Sequence, residues 1–357
     1  MSTGQNLADG AAGIALLHLE TGDWEAAYTA LREAVADGVS IAGGASLYYG
    51  APALAFVLAA SDRADLTRAK AVAAAGTATV TRRRLEAAHR RIDQRQRPPY
   101  AEFDLIGGLT GLGVALRRIG DLDLLRDVLT YLVRLTEPLD GLPGWWCPTG
   151  PHRTKPGPPG GHSNHGMAHG ITGPLALMAL TLRDGMHVPG QPAAIARICT
   201  WLDQWEQQTD DGSAWWPQTI TLEELHYGDT DQPGPLRPSW CYGTPGIARA
   251  QQLAGHALSD TARQRKAEKA FTACVSDHEQ LVLLTCRSLC HGTSGLLAAG
   301  RRIAADAHAP ISAPLPLDLH PKPAPPGEPP GFLNGTAGAE LTTTGTVTSW
   351  DACLLLC

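Results

Sequence analysis

An all-α fold, an α/α toroid of seven inner helices wrapped by seven outer ones, is what this 357-residue sequence predicts. Three observations predict it. A glycine-based helix start recurs along the chain, fully apolar helical runs alternate with amphipathic ones, and long segments rich in proline and glycine precede the later starts.

The recurring start is a polar or aromatic lead-in, a Gly-x-x-Gly step or a near relative, then an apolar run. It reads Gly10-Ala11-Ala12-Gly13, Gly50-Ala51-Pro52-Ala53, Gly108-Leu109-Thr110-Gly111 and Gly170-Ile171-Thr172-Gly173. It continues as Gly243-Thr244-Pro245-Gly246, Gly292-Thr293-Ser294-Gly295 and Gly335-Thr336-Ala337-Gly338. Intervals of about 40 to 70 residues are those of a repeat architecture. Glycine lets the first turn of each helix lie close to neighbouring backbone. Pro52, Pro174 and Pro245 fall in or beside first turns, where a missing N–H costs little.

The run after Gly173 is apolar almost all round, which predicts burial on every side. More amphipathic stretches at 25–36, 63–75, 122–135, 193–206 and 262–275 read as the outer ring. Segments 137–165 and 211–238 are long and mostly non-helical, with a short strand expected at 219–222. In a toroid such connections gather at one end and line the cavity mouth, and long connections are usually functional. Segment 309–330 reads as a proline-rich crossing to a weak, Thr-rich seventh repeat, and 350–356 as an apolar end docked on the core.

A hydrophobic fraction of 43% and a charged fraction of 18% describe a globular protein. A net charge of -6 argues against nucleic acid as the main partner. The locally basic stretch around Arg82, Arg83, Arg84, Arg90, Arg91, Arg95 and Arg97 reads as a solvated helix face, with an acidic-peptide site as the lesser alternative. No signal peptide and no membrane-spanning run is visible, so a cytoplasmic protein is expected. Eight cysteines without a Cys-x-x-Cys pair exclude a zinc ribbon on pattern and favour free thiols or metal ligands.

Loops that begin inner helices point to one end of the cavity. Asp104, His169, Arg237, Cys241, Tyr242, Cys290 and His291 therefore converge. Alone, each cysteine or histidine is as readily a core residue. Together at equivalent repeat positions, Cys241, Cys290 and His291 form a Cys2His set suited to zinc. No fourth protein ligand accompanies them, and an open position belongs to catalytic rather than structural zinc. Such a metal suits activation of a substrate thiol. His169 is the candidate acid or base. Asp104 either orients an imidazole or caps a helix. Arg237 either stabilises a developing enolate or makes a loop salt bridge. Tyr242 donates a proton or packs. His162 and His165 are looser loop candidates.

The strings Met167-Ala168-His169-Gly170, Trp240-Cys241-Tyr242-Gly243 and Cys290-His291-Gly292 resemble the signatures of the lanthionine synthetase C-like cyclases. Asp104–Gly111 and Pro330–Gly338 resemble that family too, so the likeness runs nearly the whole chain. The resemblance implies a single toroid domain over 1–357 with one zinc on Cys241, Cys290 and His291. It implies roles for Asp104, His169, Arg237 and Tyr242 around the metal. The implied reaction is Michael-type addition of a precursor-peptide cysteine thiolate to dehydroalanine or dehydrobutyrine, giving a thioether ring. His169 is then either the proton donor to the enolate carbon or the base for the thiol. The length fits a stand-alone cyclase served by a separate dehydratase, with 61–100 as the only room for a reduced peptide-binding insert. Three other readings compete. One is glutathione-type thiol addition to dehydrated proteins. A toroidal glycoside hydrolase needs two facing carboxylates, and only Asp104 stands at a repeat start. A zinc-stabilised scaffold needs a closed four-ligand site.

Overall fold

The computed structural model describes residues 4–150, 157–311 and 324–357. The first repeats supply α1 (Ala11–Thr21) and α2 (Trp24–Ala34), then α3 (Ala51–Leu58) and α4 (Thr67–Asp93). A short α5 (Tyr100–Phe103) leads into α6 (Leu109–Ile119) and α7 (Leu122–Leu135). The strand β1 (His162–Asn164) precedes α8 (Thr172–Arg183) and α9 (Gln191–Gln204). Next come β2 (Gln207–Gln208), β3 (Ala214–Trp215), β4 (Thr219–Thr221) and the short α10 (Leu222–Tyr227). The chain continues with α11 (Thr244–Leu258), α12 (Thr261–Ser276), α13 (His278–Leu281), α14 (Thr293–Ala305) and α15 (Thr336–Thr344).

The seven helices that follow the glycine steps form a closed ring. In order around it, α1 packs on α3, α3 on α6, α6 on α8, α8 on α11, α11 on α14, α14 on α15, and α15 back on α1. Helices α2, α4, α7, α9 and α12 each pack outside the inner helix they follow. These are the five outer helices among the described residues, against the seven expected. After α14 the chain is non-helical up to residue 311, and most of the predicted crossing lies outside the described residues. After α15 a 3-10 helix, Trp350–Leu354, packs on α6 instead of running along the outside. The Leu354 carbonyl accepts the Trp240 indole N–H at 2.9 Å, and the Cys353 carbonyl accepts the Tyr48 hydroxyl at 3.0 Å. The apolar end thus docks on the core, as expected.

The glycine steps have a steric cause. Three residues before each initiating glycine stand Leu7, Leu47, Leu105, Met167, Trp240, Leu289 and Phe332, all fully buried. In six of the seven copies the second glycine lies against the carbonyl of that same residue. A Cβ on Gly246 would meet the Trp240 oxygen at 2.1 Å, and one on Gly295 the Leu289 oxygen at 2.0 Å. Each first turn is therefore wedged onto its own lead-in. Ala53, the one departure in sequence, stands where the other copies have this glycine.

Helix α4 runs far beyond the expected 63–75. Its added turns carry most of the basic stretch, Arg95 and Arg97 lying just past its end, and most of those arginines are committed to neighbours. Arg83 donates to the Ile41 carbonyl, Arg84 to that of Gly107 and Arg97 to that of Leu139. Arg91 pairs with Glu102 at 2.7 Å, and Arg95 with Asp140. The predicted strand is β4, paired antiparallel with β1 in the register Asn164↔Thr219. All eight cysteines are free thiols. Among the described residues, no helix is long and apolar enough to cross a membrane.

Candidate active site

A hoop of backbone hydrogen bonds joins the helix starts. The Leu105 N–H donates to the Ala168 carbonyl at 3.1 Å, Ala168 to Cys241 at 3.3 Å, and Cys241 to Cys290 at 3.2 Å. Cys290 then donates to Leu333 at 3.0 Å, and Leu333 to Ala8 at 2.8 Å. Leu7 donates in turn to Tyr48 at 3.0 Å. These residues hold nearly the same place in successive repeats. The hoop sets His169, Cys241 with Tyr242, and Cys290 with His291 side by side at the mouth, though they are far apart in sequence.

The Cys241 and Cys290 thiols lie close enough that each is the strongest influence on the other's proton. That contact is the main reason the Cys241 thiol is pushed down to about 7, with Ser239 and the positive charge of Arg237 helping against burial. The same contact pushes Cys290 up. The pair gives up its first proton readily and holds its second, the behaviour of two acids sharing one site. Ser239 Oγ lies 3.5 Å from the Cys241 sulfur, and Ser288 Oγ lies 3.3 Å from that of Cys286. The recurrent Ser-x-Cys-x-Gly string, Ser239 to Gly243 and Ser288 to Gly292, was the sequence signal for these serines.

His291 follows Cys290 and is half-buried. Burial, then the charge of Arg237, pushes its imidazole down, which keeps it in the neutral form a metal requires. The ring is not gathered with the two thiols: among the described residues no three His, Cys, Asp or Glu side chains surround one point. Two adjacent thiols, one of them acidic, and the neutral imidazole of the residue next in sequence nevertheless fit zinc in donor chemistry.

His169 donates from Nδ1 to Asp104 Oδ2 at 2.6 Å, so its proton sits on Nδ1. Asp104 is almost fully buried, and its Oδ1 accepts the Gly107 N–H at 2.7 Å. It thus both orients the imidazole and caps the turn before α6. His169 Nε2 has no partner among the described residues and is the nitrogen available for chemistry. Tyr100 meets the His169 ring edge-on at 5.4 Å between centroids, and Tyr242 lies at 6.2 Å on a tilted plane. Burial pushes the Tyr242 phenol up to about 12, so it is protonated at neutral pH. Arg237 makes no ion pair among the described residues, and its Nε is buried without a partner. It stands as an uncommitted donor beside the thiols.

The looser candidates do not join this group. His165 is fully buried, with Nδ1 bonded to the Pro217 carbonyl and Nε2 accepting from the Trp201 indole, both at 2.8 Å. It is a satisfied core histidine. His162 lies in β1 with a buried Nδ1 that has no partner. Asn164, which the sequence did not single out, donates to the Tyr242 hydroxyl at 3.1 Å.

A family profile described as lanthionine synthetase C-like protein matches residues 2–311. The nisin biosynthesis protein NisC of Lactococcus lactis subsp. lactis is 26% identical over 206 residues, which are 56% of this chain and 48% of that protein. The chain thus spans about half the length of the curated relative it matches. The solved structure of nisin cyclase superposes with a TM-score of 0.84 at 21% identity, covering 100% of this chain and 93% of that one, and shares its fold. With its closed ring of glycine-started helices and a matched profile over most of its length, the chain belongs to the lanthionine synthetase C-like family.

Proposed function

We propose that this protein is a zinc-dependent peptide cyclase. It joins the thiol of a peptide cysteine to a dehydroalanine or dehydrobutyrine of the same peptide, forming a lanthionine or methyllanthionine thioether. The observation that carries the reading is the meeting of the Cys241–Cys290 thiol pair with the Asp104–His169 pair at one mouth. The similarity to a protein named nisin cyclase supports it.

Cys241, Cys290 and His291 would hold the metal, which when bound stabilises an incoming thiol as thiolate near neutral pH. The remaining work falls to the chain's own side chains. His169 Nε2, an acceptor while Asp104 holds the proton on Nδ1, takes the thiol proton. As the S–C bond forms at the β-carbon, the alkene electron pair moves onto the α-carbon and its carbonyl as an enolate. Arg237 and Tyr242 offer donors to that oxygen, at the point where charge develops. The proton held at His169 Nε2 then returns to the α-carbon. Thiol and alkene are consumed together, with no redox change. A separate dehydrating activity must supply the alkene.

The test is incubation with a dehydrated, cysteine-containing peptide followed by thiol alkylation and mass measurement. Loss of alkylatable thiol without a change in mass is expected. Thiols that stay fully alkylatable with the zinc-loaded protein would refute the reading.

A further inference from the structure

Asn164 ends β1 and is 4% exposed. Its backbone is held on both sides. It is paired with Thr219 of β4, and its carbonyl accepts the Ile171 N–H at 2.9 Å. Its side-chain amide has one orientation that satisfies both ends. Oδ1 accepts the Gly166 N–H at 2.9 Å, which leaves Nδ2 facing the Tyr242 hydroxyl at 3.1 Å. An amide N–H can only donate, so the phenol oxygen is the acceptor of that bond. The phenol proton is then free to point away from Asn164.

Gly166 completes the seat. A Cβ there would meet Tyr242 Cδ1 at 2.8 Å and Cε1 at 3.0 Å, so the ring lies directly against the backbone. The phenol has two degrees of freedom that matter, the position of the ring and the direction of its O–H. Gly166 sets the first. Asn164 sets the second by occupying the oxygen with a donor.

We infer that Asn164 is a positioning residue that keeps the Tyr242 hydroxyl a hydrogen-bond donor toward the enolate oxygen of the reacting peptide. The inference rests on the cyclase reading above. The proton stays on the phenol throughout; the hydroxyl contributes a hydrogen bond that strengthens as negative charge builds on the oxygen.

Asn164→Asp tests this with almost no change in shape. The carboxylate keeps an acceptor for Gly166 but presents an acceptor to Tyr242, which then turns its O–H toward residue 164. The substitution should lower kcat about 100-fold with KM changed less than about 2-fold, as loss of one oxyanion donor does. Tyr242→Phe should lose about as much. In the Tyr242→Phe background Asn164→Asp should have little further effect, because the two residues act as one unit. Asn164→Ala removes the donor without reversing it and should lose only about 10-fold. It keeps the test open if the aspartate variant folds poorly. Losses that multiply in the double variant, or an Asn164→Asp enzyme with unchanged kcat, would overturn the inference. A wild-type protein that consumes no thiol would instead sink the cyclase reading.

Discussion

Asp104 and His169, 65 residues apart, are joined by a 2.6 Å hydrogen bond whose carboxylate is held from its other oxygen by the Gly107 N–H. The bond fixes the ring's direction and places its proton on Nδ1. Nε2 is thereby left as an acceptor facing the mouth. Asp104→Asn would preserve the shape and reverse this. The amide would keep its oxygen on Gly107 and donate to Nδ1, moving the ring proton to Nε2. The expected outcome is a kcat reduced about 100- to 10,000-fold, with KM and melting temperature nearly unchanged. Timed alkylation of the substrate thiol measures it. An Asp104→Asn enzyme within a few-fold of wild type would remove the pair from the mechanism.

Metal content separates the thiols by role. One zinc per chain is expected after loading and dialysis. Cys241→Ala and Cys290→Ala should each lower that stoichiometry well below one, since either loss leaves a single thiol of the pair. Cys286→Ala is the control: its thiol bonds to Ser288 rather than to the pair, and zinc should be retained. Elemental analysis of the four proteins decides it. Stoichiometric zinc in Cys241→Ala would rule out the proposed ligand set.

His165 makes stability depend on pH. Its folded form is pushed from the ordinary 6.5 down to about 4, chiefly by burial. Between those values the unfolded chain binds a proton that the folded chain refuses, so stability rises with pH there. The contribution is complete above about pH 6.5 and is lost as pH falls toward 4. The full shift corresponds to about 3 kcal/mol, of which about 2 kcal/mol is gone by pH 5. Urea midpoints at pH 7 and pH 5 should therefore converge in His165→Gln relative to wild type. Equal pH dependence in the two proteins would show that the ring is not held neutral.

Much of this was legible because two signals agreed. The predicted stretch 122–135 matches α7 at both ends, where apolar periodicity meets the Asp121 cap, whose side chain accepts the Leu124 N–H. Six of the seven helix starts were legible because one steric demand, a glycine against a buried residue's carbonyl, repeats in the sequence. Where only one signal spoke, the reading fell short. The second half of α4 has weak amphipathicity but strong helix formers, and periodicity alone stopped it early. The backbone hoop leaves no mark in side chains, although it is what sets Cys241 beside Cys290. Asn164 was invisible because its role arises only when β1 pairs with a strand far along the chain. Five of the seven expected outer helices stand among the described residues, and most of the proline-rich crossing at 309–330 lies outside them.

The wedge between glycine and carbonyl should hold the metal site as well as the fold. Alanine at Gly246 or Gly295 would drive a Cβ to 2.1 Å from the Trp240 oxygen or 2.0 Å from the Leu289 oxygen. Neither carbonyl can retreat cheaply, because Trp240 and Leu289 are fully buried. Overpacking of this kind costs about 1–3 kcal/mol, against roughly 1 kcal/mol gained from alanine's better helix propensity. The next residues along the chain are Cys241 and Cys290, so the displacement reaches the thiols directly. Gly13→Ala makes the same clash, 2.3 Å from the Leu7 oxygen, at a repeat that carries no ligand. All three variants should lose similar stability in urea. Gly246→Ala and Gly295→Ala should also bind zinc more weakly in a chelator competition, while Gly13→Ala binds it as wild type does. Gly43→Ala, with nothing within 4 Å of its added carbon, should change neither quantity. Zinc affinity that falls equally in Gly13→Ala would mean that the wedge supports the ring as a whole and not the thiol pair.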